Sequence, residues 1–166
     1  MILGPKITYP NTSLFKIFEE CAVVNEKSLA LQFNNETITY HNLLQKSNKM
    51  ANYLWKEGIR PGTIVAISLE RTPELIITLL AILKCGGIYL PLDPKFPQSR
   101  LEFMLNDSEA KFLITSKKLS EYLPKFTKTI LIQDALSSFD KEIKDIQNIT
   151  VEQESVAYKL YTSGST

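Results

Sequence analysis

Histidine is almost missing from this sequence: His41 is the only one, and cysteine occurs just twice, at Cys21 and Cys85. That scarcity excludes a His-rich metal centre and any catalytic constellation drawing its base from several histidines. Two cysteines far apart in the chain make neither a disulfide scaffold nor a zinc site. Both are expected to be buried thiols. There is no charge of one dominant sign either. Nineteen basic residues face eighteen acidic ones, for a net charge of +1, whereas a nucleic-acid binder usually carries a basic stripe. No apolar run is long enough to cross a bilayer, since the longest, Leu75 to Leu83, is interrupted by Thr78. The segment Met1 to Pro10 lacks the basic and apolar regions of a signal peptide. The expectation is a cytoplasmic protein with no membrane and no nucleic-acid partner.

What is present suits a folded core. Of 166 residues, 44% are hydrophobic and 22% charged, which argues against wholesale disorder. The length matches a single domain of about 150 residues, and a chain of this size buries about 70% of its extended surface on folding.

Periodicity alternates between strand and helix. Leu14, Phe15, Phe18, Cys21 and Ala22 recur at helical spacing after the polar run Asn11-Thr12-Ser13, a candidate cap. Leu29, Leu31 and Phe33 alternate as in a half-buried strand, and Asn34-Asn35 turns the chain into a returning strand, Thr37 to Tyr40. Leu43, Leu44, Met50, Ala51 and Leu54 mark one face of a helix from about Asn42 to Glu57, ended by Gly58 and the Pro61-Gly62 turn. Ile64 to Leu69 reads as a strand covered on both faces. Thr72 and Pro73 read as cap and first residue of a buried helix that Gly86-Gly87 terminates. Further strands are predicted over Ile88 to Leu90, Lys111 to Thr115, Thr129 to Ile132 and Val156 to Tyr161. Helices are predicted from near Pro97 to Asp107 and over Lys118 to Leu123, with a solvated helix and loop between Asp134 and Ser155. The alternation predicts an α/β fold with a largely parallel sheet flanked by helices.

The most chemically suggestive segment is the last, Thr162-Ser163-Gly164-Ser165-Thr166, directly after a predicted strand. Small hydroxylated residues around a glycine can turn backbone N–H groups and hydroxyls onto an anion, usually phosphate. The competing reading is a frayed polar end of chain. It is not a Walker A loop, which needs a Gly-x-x-x-x-Gly-Lys pattern. His41 reads as a surface residue at a helix start, Tyr89, Tyr158 and Tyr161 as core or strand residues, and Arg100 as a solvated side chain or a tether to Asp93 or Asp107.

The run Leu83-Lys84-Cys85-Gly86-Gly87-Ile88-Tyr89-Leu90-Pro91-Leu92-Asp93-Pro94 resembles the second core motif of the amino-acid adenylation domains of non-ribosomal peptide synthetases, members of the adenylate-forming superfamily. Phe96 to Leu101 and Leu105 to Ser108 extend the resemblance. Ile38-Thr39-Tyr40-His41-Asn42-Leu43 looks like the first core motif, and Val156 to Thr166 is similar to the opening of the third, the phosphate-binding signature. Asn42 stands where the family commonly has Glu and Cys85 where it has Ala, differences of packing or capping. The third motif continues in the family through a glycine to Pro-Lys-Gly, beyond Thr166.

The resemblance implies the N-terminal part of the large domain of a two-step ligase spanning residues 1–166. ATP and an amino acid would form an aminoacyl adenylate, and the acyl group would pass to a phosphopantetheine thiol on a carrier-protein domain. Thr162, Ser163, Gly164, Ser165 and Thr166 would hold the β- and γ-phosphates, with Mg2+ balancing their charge in the full-length family. The family's catalytic lysine, adenine pocket and amino-acid pocket lie further along its chain, so no catalytic and no metal-binding residue is assigned here. The alternatives are a fragment of an acyl-CoA synthetase or aryl-acid ligase, or a non-catalytic docking module that keeps the fold. Taken alone, the chain is expected to be inactive and to bind ATP poorly or not at all, with neither ATP nor Mg2+ held by this fragment. A carboxylate at Thr166 about 4 Å from a phosphate would repel it by on the order of 4 kcal/mol at an effective dielectric of about 20. Missing neighbours of Val65, Ile67, Ile76 and Leu80 would leave apolar surface exposed and favour self-association.

Overall fold

The structure is a computed structural model, which describes residues 12–139, 149–152 and 154–162. It opens with helix α1 (Leu14–Val24), capped by the Ser13 hydroxyl, which accepts from the Lys16 amide at 3.3 Å. The buried residues of α1 are Phe15 and Ala22. Cys21 lies off that side and is exposed, contrary to the expectation of two buried thiols; its sulfur accepts from Asn25 Nδ2 at 3.6 Å. A hairpin follows, β1 (Leu29–Phe33) and β2 (Glu36–Thr39), with Asn34 in the left-handed region at φ 52°. A register shift between Leu29 and Leu31 breaks the simple alternation read from the sequence. Leu31 is half-buried, whereas Leu29 and Phe33 are exposed.

Helix α2 (Tyr40–Lys56) begins two residues earlier than the periodicity indicates, because Thr39 rather than a later residue caps it, its hydroxyl accepting from the Asn42 amide. His41 is exposed on its first turn. Strand β3 (Ile64–Ser68) leads to α3 (Pro73–Lys84), whose first residue is indeed Pro73. Thr72 is extended but makes no side-chain capping bond, so the expected cap is positional only. At the other end the Gly86 N–H donates to Leu83 O and the Gly87 N–H to Ile82 O, the paired bonds that close a helix with a left-handed glycine, here Gly86 at φ 70°. The chain then runs through β4 (Ile88–Pro91), α4 (Gln98–Asp107), β5 (Phe112–Thr115), α5 (Lys117–Ser120), β6 (Thr129–Leu131) and α6 (Ile132–Ser137). The solvated helix expected after Asp134 starts two residues earlier and buries Ile132 and Ala135; residues 140–148 lie outside the described part.

Strands β3 to β6 form one parallel sheet in the order β4-β3-β5-β6. Alternate residues serve opposite faces. Val65, Ile67, Phe112 and Ile114 pack with α2 and α3 residues Met50, Leu54, Ile77, Ala81 and Ile82. Ala66 and Leu113 face the other way, onto Leu101, Met104 and Leu105 of α4. Helices on both faces explain the near-continuous apolar strands. Of the four residues expected to lose neighbours, Ile76 and Leu80 are half-buried, whereas Val65 and Ile67 are fully covered because β3 lies inside the sheet between β4 and β5.

Candidate functional site

β3 hands the chain to β4 on one side of the sheet and β5 hands it to β6 on the other, so the chain leaves the carboxyl ends of β3 and β5 in opposite directions. In open parallel sheets ligands gather at that end. The side chains found there are largely engaged in the fold itself. The Thr115 hydroxyl donates to Ser68 O at 2.8 Å and the Ser116 hydroxyl to Glu70 Oε1 at 3.3 Å, while Ser116 also caps α5 through the Leu119 amide. Ser68 Oγ is buried without a hydrogen-bond partner. The sequence patterns single out none of these hydroxyls, although each sits where an apolar strand run ends in a small polar residue.

The free side of β4 carries the segment that matters most. The Tyr89 N–H donates to Ala157 O at 3.1 Å, and the Lys159 N–H donates to Tyr89 O at 3.0 Å. Tyr158 therefore pairs parallel with Tyr89, and the two rings stack with centroids 5.5 Å apart. The predicted strand Val156 to Tyr161 is thus present as a single bridge rather than a full ladder, because only Tyr158 pairs with β4. Its direction is nonetheless that of the sheet. Past the bridge, Tyr161 joins the margin of the core under α4. Its ring meets Phe103 edge-on at 6.2 Å, its hydroxyl donates to Asp107 Oδ2, and Lys159 Nζ lies 5.9 Å from the ring. Burial first, and the Asp107 carboxylate second, push the Tyr161 phenol up to about 12.

Thr162 follows directly and is exposed at the carboxyl side of the sheet. The other residues named for the phosphate seat, Ser163, Gly164, Ser165 and Thr166, lie outside the described residues. Asp107 is not the partner of Arg100 that the sequence offered. Arg100 stands over the Phe96 ring at 4.7 Å, and Asp93 accepts from the Lys95 amide. Among the described residues no group of three or more His, Cys, Asp or Glu is placed to hold a metal ion, so none is assigned to Mg2+. No described helix is long and apolar enough to cross a membrane.

Residues 18–166 match the family described as AMP-binding enzyme. The chain belongs to that family. It is 37% identical over 164 residues to bacitracin synthase 3 of Bacillus licheniformis, covering 97% of this chain and 2% of that protein. The NpsA N-terminal subdomain of Klebsiella oxytoca in complex with 3-hydroxybenzoyl-AMSN superposes with a TM-score of 0.87 at 26% identity, over 95% of this chain and 39% of that one. NpsA-ThdA, an artificially fused adenylation-PCP di-domain of a non-ribosomal peptide synthetase from the same organism, gives 0.87 at 25% identity, over 94% and 29%. The adenylation-domain resemblance and the α/β architecture expected from the motifs both hold. The chain spans only a small part of the length of these relatives.

Proposed function

We propose that residues 1–166 supply the phosphate-binding side of an adenylation domain that activates an amino acid with ATP and loads it on a phosphopantetheine carrier protein. The observation that carries this reading is the parallel pairing of Tyr158 with Tyr89, which brings Thr162 out at the carboxyl side of the sheet. In the first step a substrate carboxylate oxygen attacks the α-phosphorus of ATP and pyrophosphate leaves. Thr162, Ser163, Gly164, Ser165 and Thr166 hold the β- and γ-phosphates through hydroxyls and backbone N–H groups, and so stabilise the charge that builds on the leaving group. Mg2+ carried with the nucleotide would add charge neutralisation on the phosphates. In the second step a carrier thiol attacks the acyl carbon and AMP leaves.

The test is amino-acid-dependent exchange of labelled pyrophosphate into ATP by a polypeptide joining residues 1–166 to the remainder of an adenylation domain. Exchange is expected, and Ser163→Ala should reduce it by about tenfold or more, the usual effect of deleting a hydrogen bond to a charged group. A folded polypeptide whose exchange ignores Ser163→Ala would sink the assignment. Residues 1–166 alone, which span a small part of the matched relatives, are expected to show no exchange and weak ATP binding; exchange by that chain would refute this. The 3-hydroxybenzoyl-AMSN complex of the Klebsiella relative favours aryl acids as a second substrate class, so both acid types belong in the substrate panel.

A further inference from the structure

The last described segment is held to the sheet by very little. Two backbone hydrogen bonds join it to β4, and the side chains of Val156, Tyr158 and Leu160 are all at least half exposed. Two bonds to a single neighbour fix the line of a strand but leave it free to pivot about that edge. A third fixed point comes from Tyr161, whose ring and hydroxyl reach Phe103 and Asp107 on α4. The position of Asp107 is informative. A carboxylate in the last turn of a helix faces the negative end of the helix dipole and does not stabilise the helix it sits on. Arg100 does not compensate it, being stacked over Phe96. The group that faces Asp107 is the phenol donor from the chain's far end.

We propose that Tyr161 and Asp107 are positioning residues for phosphate binding: their hydrogen bond, backed by the Phe103 ring, clasps the residue before Thr162 to the end of α4 and sets where residues 162–166 begin. Neither touches the nucleotide in this scheme. The inference rests on the reading of residues 162–166 as a phosphate seat, and it adds which remote pair makes that seat usable.

The experiment uses residues 1–166 joined to the remainder of an adenylation domain, labelled for nuclear magnetic resonance, with inorganic tripolyphosphate as the probe. Tyr161→Phe keeps the ring on Phe103 and removes only the donor; Asp107→Ala removes the acceptor, and Asp107→Asn keeps a weaker one. Both Tyr161→Phe and Asp107→Ala should speed exchange of the Lys159 amide about tenfold, the scale of one lost hydrogen bond to a charged group, while the Ile114 amide in β5 stays protected. Both should weaken tripolyphosphate binding, read from the amide shifts of residues 162–166, by about fivefold or more. The double variant should be no worse than either single one, and Asp107→Asn should recover part of the loss. An unchanged Lys159 amide overturns the clasp. A faster Lys159 amide with phosphate affinity held within about twofold shows a merely structural contact and overturns the positioning role. If tripolyphosphate shifts none of residues 162–166 in the unsubstituted joined polypeptide, the phosphate reading itself falls and takes this inference with it.

Discussion

A Cβ built on Gly87 would stand 2.9 Å from Ile82 Cγ2 and 3.3 Å from the carbonyl oxygens of Ile82 and Thr63. Two of those three neighbours are backbone, in the helix end and in the entry to β3, and cannot step aside. Gly87→Ala is therefore expected to destabilise the fold by about 1–3 kcal/mol, measured by denaturant unfolding; a variant as stable as the parent would show that α3 and β3 approach less closely. Beside it, Cys85 is fully buried, its Sγ 3.4 Å from Ala51 O, and burial pushes its thiol up to about 12. Cys21 is exposed. A thiol reagent at neutral pH should consequently modify Cys21 readily and reach Cys85 only on unfolding. Rapid native-state modification of both would contradict this placement. The two cysteines also mark a limit of reading by residue type. Cys85 follows an apolar run that ends at Gly86-Gly87, and its burial was legible; Cys21 shares the helical spacing of Phe15 and Ala22 but falls beyond the side that α1 buries.

At the scale of elements, the segment through Tyr158 is the one whose stability depends on pH in a stated direction. The folded Tyr161 phenol is raised to about 12 from an ordinary value of about 10, so its neutral form is the one the fold favours. Its contribution to docking is fully present below about pH 10 and is lost as the pH rises through about 12. The phenol carbon resonance of Tyr161 should report this titration, with Lys159 amide protection falling over the same range. In Asp107→Asn the titration should move down, though not fully to the ordinary value, because burial ranks ahead of Asp107 as a cause. A Tyr161 resonance that titrates near 10 in the parent chain would remove the contact. The helices were easier to anticipate than this strand. α3 and α4 carry long apolar faces and end in glycine or polar signals, whereas the terminal strand rests on pairing with a single neighbour, and no local pattern reveals how far such a ladder extends.

For the whole molecule, the question is what covers the apolar surface. The two core clusters are closed, with Met50, Leu54, Ile82, Leu90, Leu101 and Ile114 inaccessible to solvent. Outside them, Leu29 and Phe33 on the hairpin and Val156, Tyr158 and Leu160 beyond β4 are exposed, and Ile76 and Leu80 on α3 are half-covered. Patches of this kind favour contact with other surfaces. The 166-residue chain is accordingly expected to self-associate, seen as a mass in light scattering that rises with concentration. A constant monomeric mass at high concentration would count against it.

The order of motifs, the alternation of strand and helix, and the positions of turns were determined by local composition, because apolar period, glycine and proline act over a few neighbouring residues. They suffice to reveal an α/β fold; the family and the segment proposed to hold phosphate follow from the resemblance of the ordered motifs to those of adenylation domains. Strand order, the partner of Asp107, the exposure of Cys21 and the clasp on Tyr161 were decided only by the tertiary structure. Each depends on which distant parts of the chain share an edge or a face, and Tyr161 and Asp107, 54 positions apart, carry no sign of one another in the sequence.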